Sequence, residues 1–575
     1  MLSARTCSGE EVQRPGRAAA SSTAATYVVD VLREFGVDTI FGVPGGANAP
    51  LLAALMDRPD VRMVTAKHES NAAFMAMGYA LATGRPGVIY TTAGPGITNA
   101  MTGIACAYYE GVPVVHIAGE VARSAFGRGA LQESSPESFD AVGMMRRFTK
   151  ASVLISRAGQ AATLVRKTIE TALGGRPGPV FISMPLDVAS TQCAPQPVRG
   201  TTAASVDIPA AACAHAMELL ERAERPLILA GAGARGARSK RALRALAEHI
   251  GAPVCVTPKG KGVFPEDHSS YIGVLGFGGH DSVIQYLERG VDVLLVIGSS
   301  LNDFSTNSWT PLLRATHAFL QIDIDAAQLG KNYPIDVGLL GPADVILSQM
   351  LDHRGRSSRC ARPLNVSLLR QPVAQAPSGR LTTTDVVLAL NDLCPDDAIH
   401  TADMGEHLAI ALHYLSVGER GEFFASLGFG SMGSGIVSAI GYQLGAPERR
   451  TYALCGDGGM LMNGSEVATA VQWELPTTFL VVNDSRLNMV WHGMRDLYGR
   501  SPSFDTQEID FAAWARSMGA DAEIVRTRSE LCSALRIVPQ RRPRVLDLRI
   551  DPDVRLTGSQ RNVALRQFAA KGSDA

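Results

Sequence analysis

Two aspartates stand where a divalent cation and a phosphate could be held together. Asp457 lies in the run Gly456-Asp457-Gly458-Gly459, and Asp484 closes the run Asn483-Asp484, 27 positions further on. Carboxylates are hard oxygen donors, and Mg2+ favours one or two of them together with the oxygens of a diphosphate. The glycines allow backbone to approach such a ligand closely. Residue type alone leaves a second reading open. Two aspartates ending two strands, with glycines that serve only the turn, fit as well, because short glycine motifs recur by chance.

Other candidates carry weaker signals taken singly. Glu69 stands in Lys67-His68-Glu69-Ser70-Asn71, at the start of a small-residue helix running to Ala82. It could be a general acid or base, or simply an acid favoured in a first helical turn. His407 follows Gly405 and Glu406, where it could meet an anion or be a satisfied structural histidine. Met432, in Gly428-Phe429-Gly430-Ser431-Met432-Gly433, reads by itself as core filler.

The elements that must position these groups follow a βα alternation. Residues 452–455 form an apolar strand, a helix-like segment runs to Trp473, and residues 478–482 form a second buried strand. In an open parallel sheet such strand ends face the ligand crevice. The same rhythm starts at Ala24, with a helix over 25–35, a strand over 39–43 and a turn holding Gly45 and Gly46. Further strands are expected at 87–92, 112–118 and 179–185, then at 226–230, 254–256, 293–297 and 319–324. The last set begins with 397–401 and closes with 545–550. The expected fold class is α/β, with three doubly wound parallel-sheet domains over 23–190, 200–352 and 381–560. A polar linker over 353–380 and a disordered leader over 1–22 complete the chain.

Composition narrows the function further. The chain has 575 residues and a formal net charge of −1, which gives no reason to expect nucleic acid as a partner. No apolar run approaches the ~18 residues of a membrane span. Nine cysteines are scattered without a CxxC pair, so a zinc site or disulfide framework is not indicated and a reducing cytoplasm is the simple expectation.

Taken together, the GDG run, the Asn-Asp strand end and the segments around them resemble the thiamine diphosphate (ThDP) enzymes, in their acetohydroxyacid (acetolactate) synthase branch. The resemblance covers roughly residues 24–560. It implies that Asp457, Asp484 and the backbone carbonyl of Arg486 hold Mg2+, with Asp484 standing where the family usually has Asn. Glu69 would hydrogen-bond the aminopyrimidine of ThDP and so promote loss of the thiazolium C2 proton. The 428–433 loop would contact the aminopyrimidine through its backbone, with Gly430 in the turn and Met432 propping the cofactor into a bent shape. That bend makes the proton transfer intramolecular. Gly45 and Gly46 would line the ring region, Met489 would keep an apolar contact, and Gly405, Glu406 and His407 would meet the diphosphate. The family shows Gln at the position of Glu406.

The substrate side departs more. An active-site glutamine of the family falls on Gln132, beside Leu131 in place of an aromatic. A lysine near the substrate entrance falls on Lys150. A tryptophan that helps choose the second substrate is replaced by Gly493, and Arg495 could bind an acceptor carboxylate. Synthases of this branch carry FAD in the middle domain. The match holds at 275–279 and 322–325 but departs at 299–304, where the family has a basic and acidic cluster, so FAD stays open. The run Gly231-Ala232-Gly233-Ala234-Arg235-Gly236 could cradle a nucleotide diphosphate or be a plain turn.

What the resemblance implies is a carboligase: a 2-keto acid such as pyruvate loses CO2, and its acyl carbanion is transferred to a second carbonyl compound. The alternatives are a 2-keto acid decarboxylase or lyase, and an FAD-dependent 2-keto acid oxidase. The departures at Leu131, Asp484 and Gly493 suggest a specialised acceptor, outside housekeeping branched-chain synthesis. The cofactor would lie between the first domain of one subunit and the third of another, which makes a homodimer or a dimer of dimers the active unit. A regulatory small subunit is a further partner the resemblance allows.

Overall fold

The computed structural model describes residues 22–194, 208–355, 366–376 and 378–556. Most of the expected leader, residues 200–207 of the expected middle domain, residues 356–365 and 377 of the expected linker, and residues 557–560 lie outside them.

Three six-stranded sheets form, and all pairings within them are parallel. Parallel strands are covered by helices on both faces and therefore read as unbroken apolar runs. Val293–Ile297, VLLVI, is buried at every position. In the first sheet the strand order is Arg62–Thr65, Thr39–Gly42, Gly87–Thr91, Val114–Glu120, Val180–Pro185, Ser152–Leu154. Its winding reverses between Thr39–Gly42 and Gly87–Thr91. The second sheet reverses between Leu227–Ala230 and Val293–Ile297, and the third between Ile399–Ala402 and Thr451–Gly456. Ligand crevices of open α/β sheets lie at such reversals.

The first and third sheets share one core, whereas the second has its own. The joint is made by two helices of small residues. Glu69–Thr83, ESNAAFMAMGYALAT, is buried all round as far as Ala80, and it packs on Ser434–Gly445. A Cβ on Gly78 would lie 2.1 Å from the Ser438 carbonyl, and one on Gly441 would lie 1.9 Å from that of Met75. Only glycine permits backbones this close.

One expected element divides. After the glycine turn the helix begins on Asp457 itself and runs Asp457–Asn463. A tight turn, Gly464–Glu466, follows, then a second helix, Val467–Gln472. The break falls where the Trp514 ring packs on Gly464, whose Cβ would lie 2.8 Å from it. Among the described residues no helix is long and apolar enough to cross a membrane.

Candidate active site

A cavity of about 630 Å³ opens at the reversal of the third sheet. Loops following both reversal strands line it, with Gly405, Glu406 and His407 on one side and Gly456, Asp457, Gly458 and Gly459 on the other. Gly430 and Met432 form another wall, and Asp484, Arg486 and Met489 enter from the neighbouring strand end. The middle domain contributes Phe277, Asn302, Asp303 and Phe304.

Register explains the acidic end. Strands Thr451–Gly456 and Thr478–Asn483 pair in parallel with Gly456 opposite Val482, so Asp457 and Asp484 leave the sheet at one edge. Asp457 Oδ1 accepts the Gly458 N–H at 2.7 Å, while its Oδ2 is buried with no hydrogen bond among the described residues. Asp484 accepts the Arg486 N–H at 3.2 Å and the Asn488 amide at 2.9 Å. Ser485 between them takes a left-handed conformation (φ 55°), a strain that clusters at functional sites. Burial pushes the Asp457 carboxyl up to about 6, and burial with the nearby Asp457 charge pushes Asp484 up to about 7. A divalent cation relieves both causes. The Arg486 guanidinium turns away, donating to Asn488 at 3.0 Å and stacking 3.8 Å over Trp491, so this residue can offer the site its backbone carbonyl.

The phosphate end is built around glycine. A Cβ on Gly405 would meet His407 Cε1 at 2.4 Å, and one on Gly458 would meet Met432 Cε at 2.9 Å. Burial lowers the His407 imidazole to about 4 and keeps it neutral, and its buried Nε2 has no hydrogen-bond partner among the described residues. Two orphaned polar atoms at the GDG turn, Asp457 Oδ2 and His407 Nε2, match a cation and a phosphate oxygen. Thiamine diphosphate with Mg2+ therefore fits the donor set. Glu406, also in the cavity, is pushed up to about 7 by burial, and its Oε2 lies 3.9 Å from His492 Nε2.

Glu69 belongs to a different crevice. It is 7% exposed at the first turn of its helix, and its Oε2 accepts the Asn99 amide at 3.0 Å. A Cβ on Gly96 would lie 3.5 Å from its Oε1, and one on Gly45 would strike Thr92 at 2.5 Å, whereas Gly46 faces open space. Gln132, left-handed at φ 63°, accepts the Thr92 hydroxyl at 3.1 Å. Glu69, Gly45 and Gln132 thus gather at the reversal of the first sheet. The cavity at the third sheet is lined from the middle and C-terminal domains.

The remaining substrate candidates stand apart from that cavity. Lys150 donates to the Gly174 carbonyl, Gly493 is buried within helix Asn488–Tyr498, and Arg495 is exposed with its guanidinium 4.6 Å over Trp491. None of Gln132, Lys150, Gly493 and Arg495 lines it. Sequence reasoning missed Asp403, whose buried carboxylate accepts the amides of Gly433 at 2.7 Å and Gly435 at 3.1 Å. It also missed Asn99 and the middle-domain wall. Asn99 could have been found from its glycine-rich turn, but nothing local marks Asn302 or Asp303.

The glycine turn of the middle domain does not fit a nucleotide diphosphate. Gly231 donates its N–H to Ile297 at 2.8 Å and Gly233 to Gly298 at 3.0 Å, so these amides are consumed. A Cβ on Gly231 would lie 2.4 Å from the Gly298 carbonyl, and Arg235 donates to the Lys259 carbonyl at 2.7 Å.

Residues 22–143 match the family described as "Thiamine pyrophosphate enzyme, N-terminal TPP binding domain". Residues 213–350 match its central domain and 403–548 its C-terminal TPP binding domain, thiamine pyrophosphate being another name for ThDP. The chain belongs to the thiamine diphosphate-dependent enzymes. Within them it is acetolactate synthase-like, a transferase. It is 34% identical to the acetolactate synthase large subunit of Parasynechococcus marenigrum, over 88% of this chain and 84% of that protein. It is 30% identical to the acetolactate synthase isozyme 2 large subunit of Escherichia coli, over 89% of this chain and 92% of that one. A solved structure, the ThDP-dependent 4-hydroxybenzoylformate decarboxylase of Rhodococcus jostii, superposes with a TM-score of 0.82 at 24% identity. It covers 92% of this chain and 99% of that one, and shows the shared fold.

Proposed function

We propose that this ThDP-dependent enzyme is an Mg2+-dependent carboligase, which decarboxylates a 2-keto acid, pyruvate first among them, and joins the acyl unit to a second carbonyl compound. The observation that carries the metal and cofactor assignment is a pair of buried atoms with no hydrogen bond among the described residues, Asp457 Oδ2 and His407 Nε2, on two residues that line one cavity. Asp457, Asp484 and the Arg486 carbonyl would hold the metal, and Gly405, His407 and the GDG turn would hold the diphosphate. When bound, ThDP supplies the carbon nucleophile and the electron sink.

Protein residues do the rest. Glu69 would hold or give up a proton at its carboxyl, which the Asn99 amide orients. Met432, whose Cε lies 2.9 Å from where a Cβ on Gly458 would be, would prop the bound cofactor. Phe277 and Phe304 from the middle domain, with ring centroids 5.2 Å apart, help to keep water from the reacting carbon. No step is assigned to flavin.

Glu69 and Asp457 occupy crevices of different domains, which supports a homodimer in which each site takes Glu69 from one subunit and Asp457 from the other. A dimer of dimers keeps the same arrangement. The seven described cysteines are free thiols, in keeping with a cytoplasmic enzyme. Because the relatives are named large subunits, a regulatory small subunit is a partner to seek. An acceptor other than that of branched-chain synthesis rests on the departures from the family pattern at Leu131, Asp484 and Gly493.

The test is incubation of the purified protein with ThDP, Mg2+ and pyruvate, with and without a panel of aldehydes and 2-keto acids, followed by mass spectrometry. A coupled carbon–carbon product supports the carboligase and names the acceptor. Free aldehyde with CO2 makes the protein a decarboxylase instead. Acetolactate from pyruvate alone at ~10 per second, an ordinary enzyme rate, removes the specialised acceptor.

A further inference from the structure

The 428–433 loop is held at both ends by buried carboxylates, and one of them comes from another domain. Asp403 takes the far end through Gly433 and Gly435. The near end is taken by Glu110, the last residue of helix Pro95–Glu110 in the N-terminal domain. Its Oε1 accepts the Gly428 N–H at 2.6 Å, and its Oε2 pairs with Lys259 Nζ of the middle domain at 2.8 Å. The Glu110 side chain is 1% exposed and that of Lys259 17%. One carboxylate thus joins all three domains.

The surroundings leave the loop little freedom at this point. A Cβ on Gly428 would lie 2.8 Å from Glu110 Oε1 and 3.0 Å from Tyr109 Cβ. The Tyr109 and Phe429 rings face each other with centroids 5.5 Å apart, and Cys106 Sγ, one helical turn back, lies 3.0 Å from Ser431 Oγ. Lys259 Nζ also donates to the Tyr109 carbonyl at 3.3 Å. Charge-assisted bonds at a buried position are stronger than neutral ones and set geometry more tightly.

We propose that Glu110 is a positioning residue for the cofactor: with Lys259 it latches Gly428, and so sets where Gly430 and Met432 stand against Gly458. This rests on the placement of ThDP against the 428–433 loop. Helix Pro95–Glu110 also carries Asn99, the partner of Glu69, near its other end. One helix therefore orients Glu69 and holds the Met432 loop of the same chain.

The experiment is titration of the metal-loaded apoprotein with ThDP, followed by tryptophan fluorescence, with thermal midpoints measured alongside. Glu110→Ala is expected to weaken ThDP binding about tenfold or more. Glu110→Gln, whose amide oxygen still accepts the Gly428 N–H, should recover most of that loss, although both variants lose the charge opposite Lys259. A structural role alone would move the thermal midpoint and leave the affinity of the folded fraction unchanged. Glu110→Ala that binds ThDP as the unmodified protein does overturns the latch. Should Glu110→Ala not fold, Gly428→Ala presses on the same carboxylate from the loop side, and unchanged affinity there overturns it equally. An unmodified protein that fails to bind ThDP overturns the site first, and the latch with it.

Discussion

The carboxylate of Glu466 accepts the backbone N–H of Lys67 at 2.6 Å, two residues before Glu69. It is fully buried, and it also takes the Asn71 amide at 3.1 Å and the Thr469 hydroxyl at 2.6 Å. Glu466 lies just beyond helix Asp457–Asn463, so the segment that begins at the metal turn holds the turn that presents Glu69 in the same chain. Replacing Glu466 by Ala should cost about 1–3 kcal/mol, because buried donors are left without an acceptor. Turnover should fall with it, as Glu69 loses its fixed position. Thermal unfolding and steady-state rates check both effects, and a Glu466→Ala protein with full activity would show that the Glu69 turn is held by other means.

Glu69→Gln keeps the Asn99 contact and the helix start but cannot carry the proton. Turnover should drop by about 10²-fold or more, with the unfolding midpoint nearly unchanged. Product formation over hours, followed by mass spectrometry, is the measurement; wild-type rates would dismiss the assigned role.

Metal binding should depend on pH in a defined direction. Asp457 and Asp484 are pushed up to about 6 and about 7, yet they must be ionised to hold Mg2+. Binding therefore releases protons, and apparent Mg2+ affinity should fall as pH is lowered from 8 to 6. Asp484→Asn should flatten this dependence, and Asp457→Ala should abolish Mg2+-dependent ThDP binding. Calorimetry at several pH values tests all three outcomes.

Glu406 should contribute stability to the apoprotein in mild acid. Glu406 is pushed from its ordinary value of 4.5 up to about 7 by burial, so the folded state binds more protons than the unfolded one between these values. The stability of unfolding then decreases with pH across that window. The contribution is complete below about 4.5 and lost as pH rises through about 7. Glu406→Gln should reduce the slope between pH 4.5 and 7. An equal slope in both proteins would assign it to other groups.

Packing between the N- and C-terminal domains tolerates no added volume at its closest point. Gly441→Val places atoms where Cβ alone would lie 1.9 Å from the Met75 carbonyl. Destabilisation of at least ~1–3 kcal/mol is expected from overpacking, seen as a lower unfolding midpoint. Gly84→Ala, at a helix end with no neighbour within 4 Å but φ 69°, isolates the cost of left-handed backbone without crowding.

Much of the architecture was legible in one dimension because its causes are local. Apolar runs such as Val293–Ile297 announce buried parallel strands, and glycine turns after strands announce crevices. The GDG turn was legible as a candidate metal site because Asp457 and Asp484 each end a strand. The break at Gly464 was not, since it depends on the Trp514 ring, 50 residues away in the chain. The four substrate candidates, Gln132, Lys150, Gly493 and Arg495, were legible as positions in a pattern. Their place relative to the cavity was not.

Residue type and local periodicity by themselves determined three α/β units and the hard oxygen donors of the GDG turn, whereas the role expected of Glu69 came only with the resemblance to the ThDP enzymes. Tertiary structure decided which of these groups share a cavity. It brought Glu466 to Lys67 across 399 positions and Glu110 to Gly428 across 318, contacts that no local pattern marks. It also turned the glycines of the middle domain from a candidate phosphate cradle into a packing joint. The physical reason is the same in each case. A carboxylate or an amide N–H has a definite chemistry wherever it occurs, but whether it meets a ligand or another part of the chain depends on which strand ends the fold sets side by side.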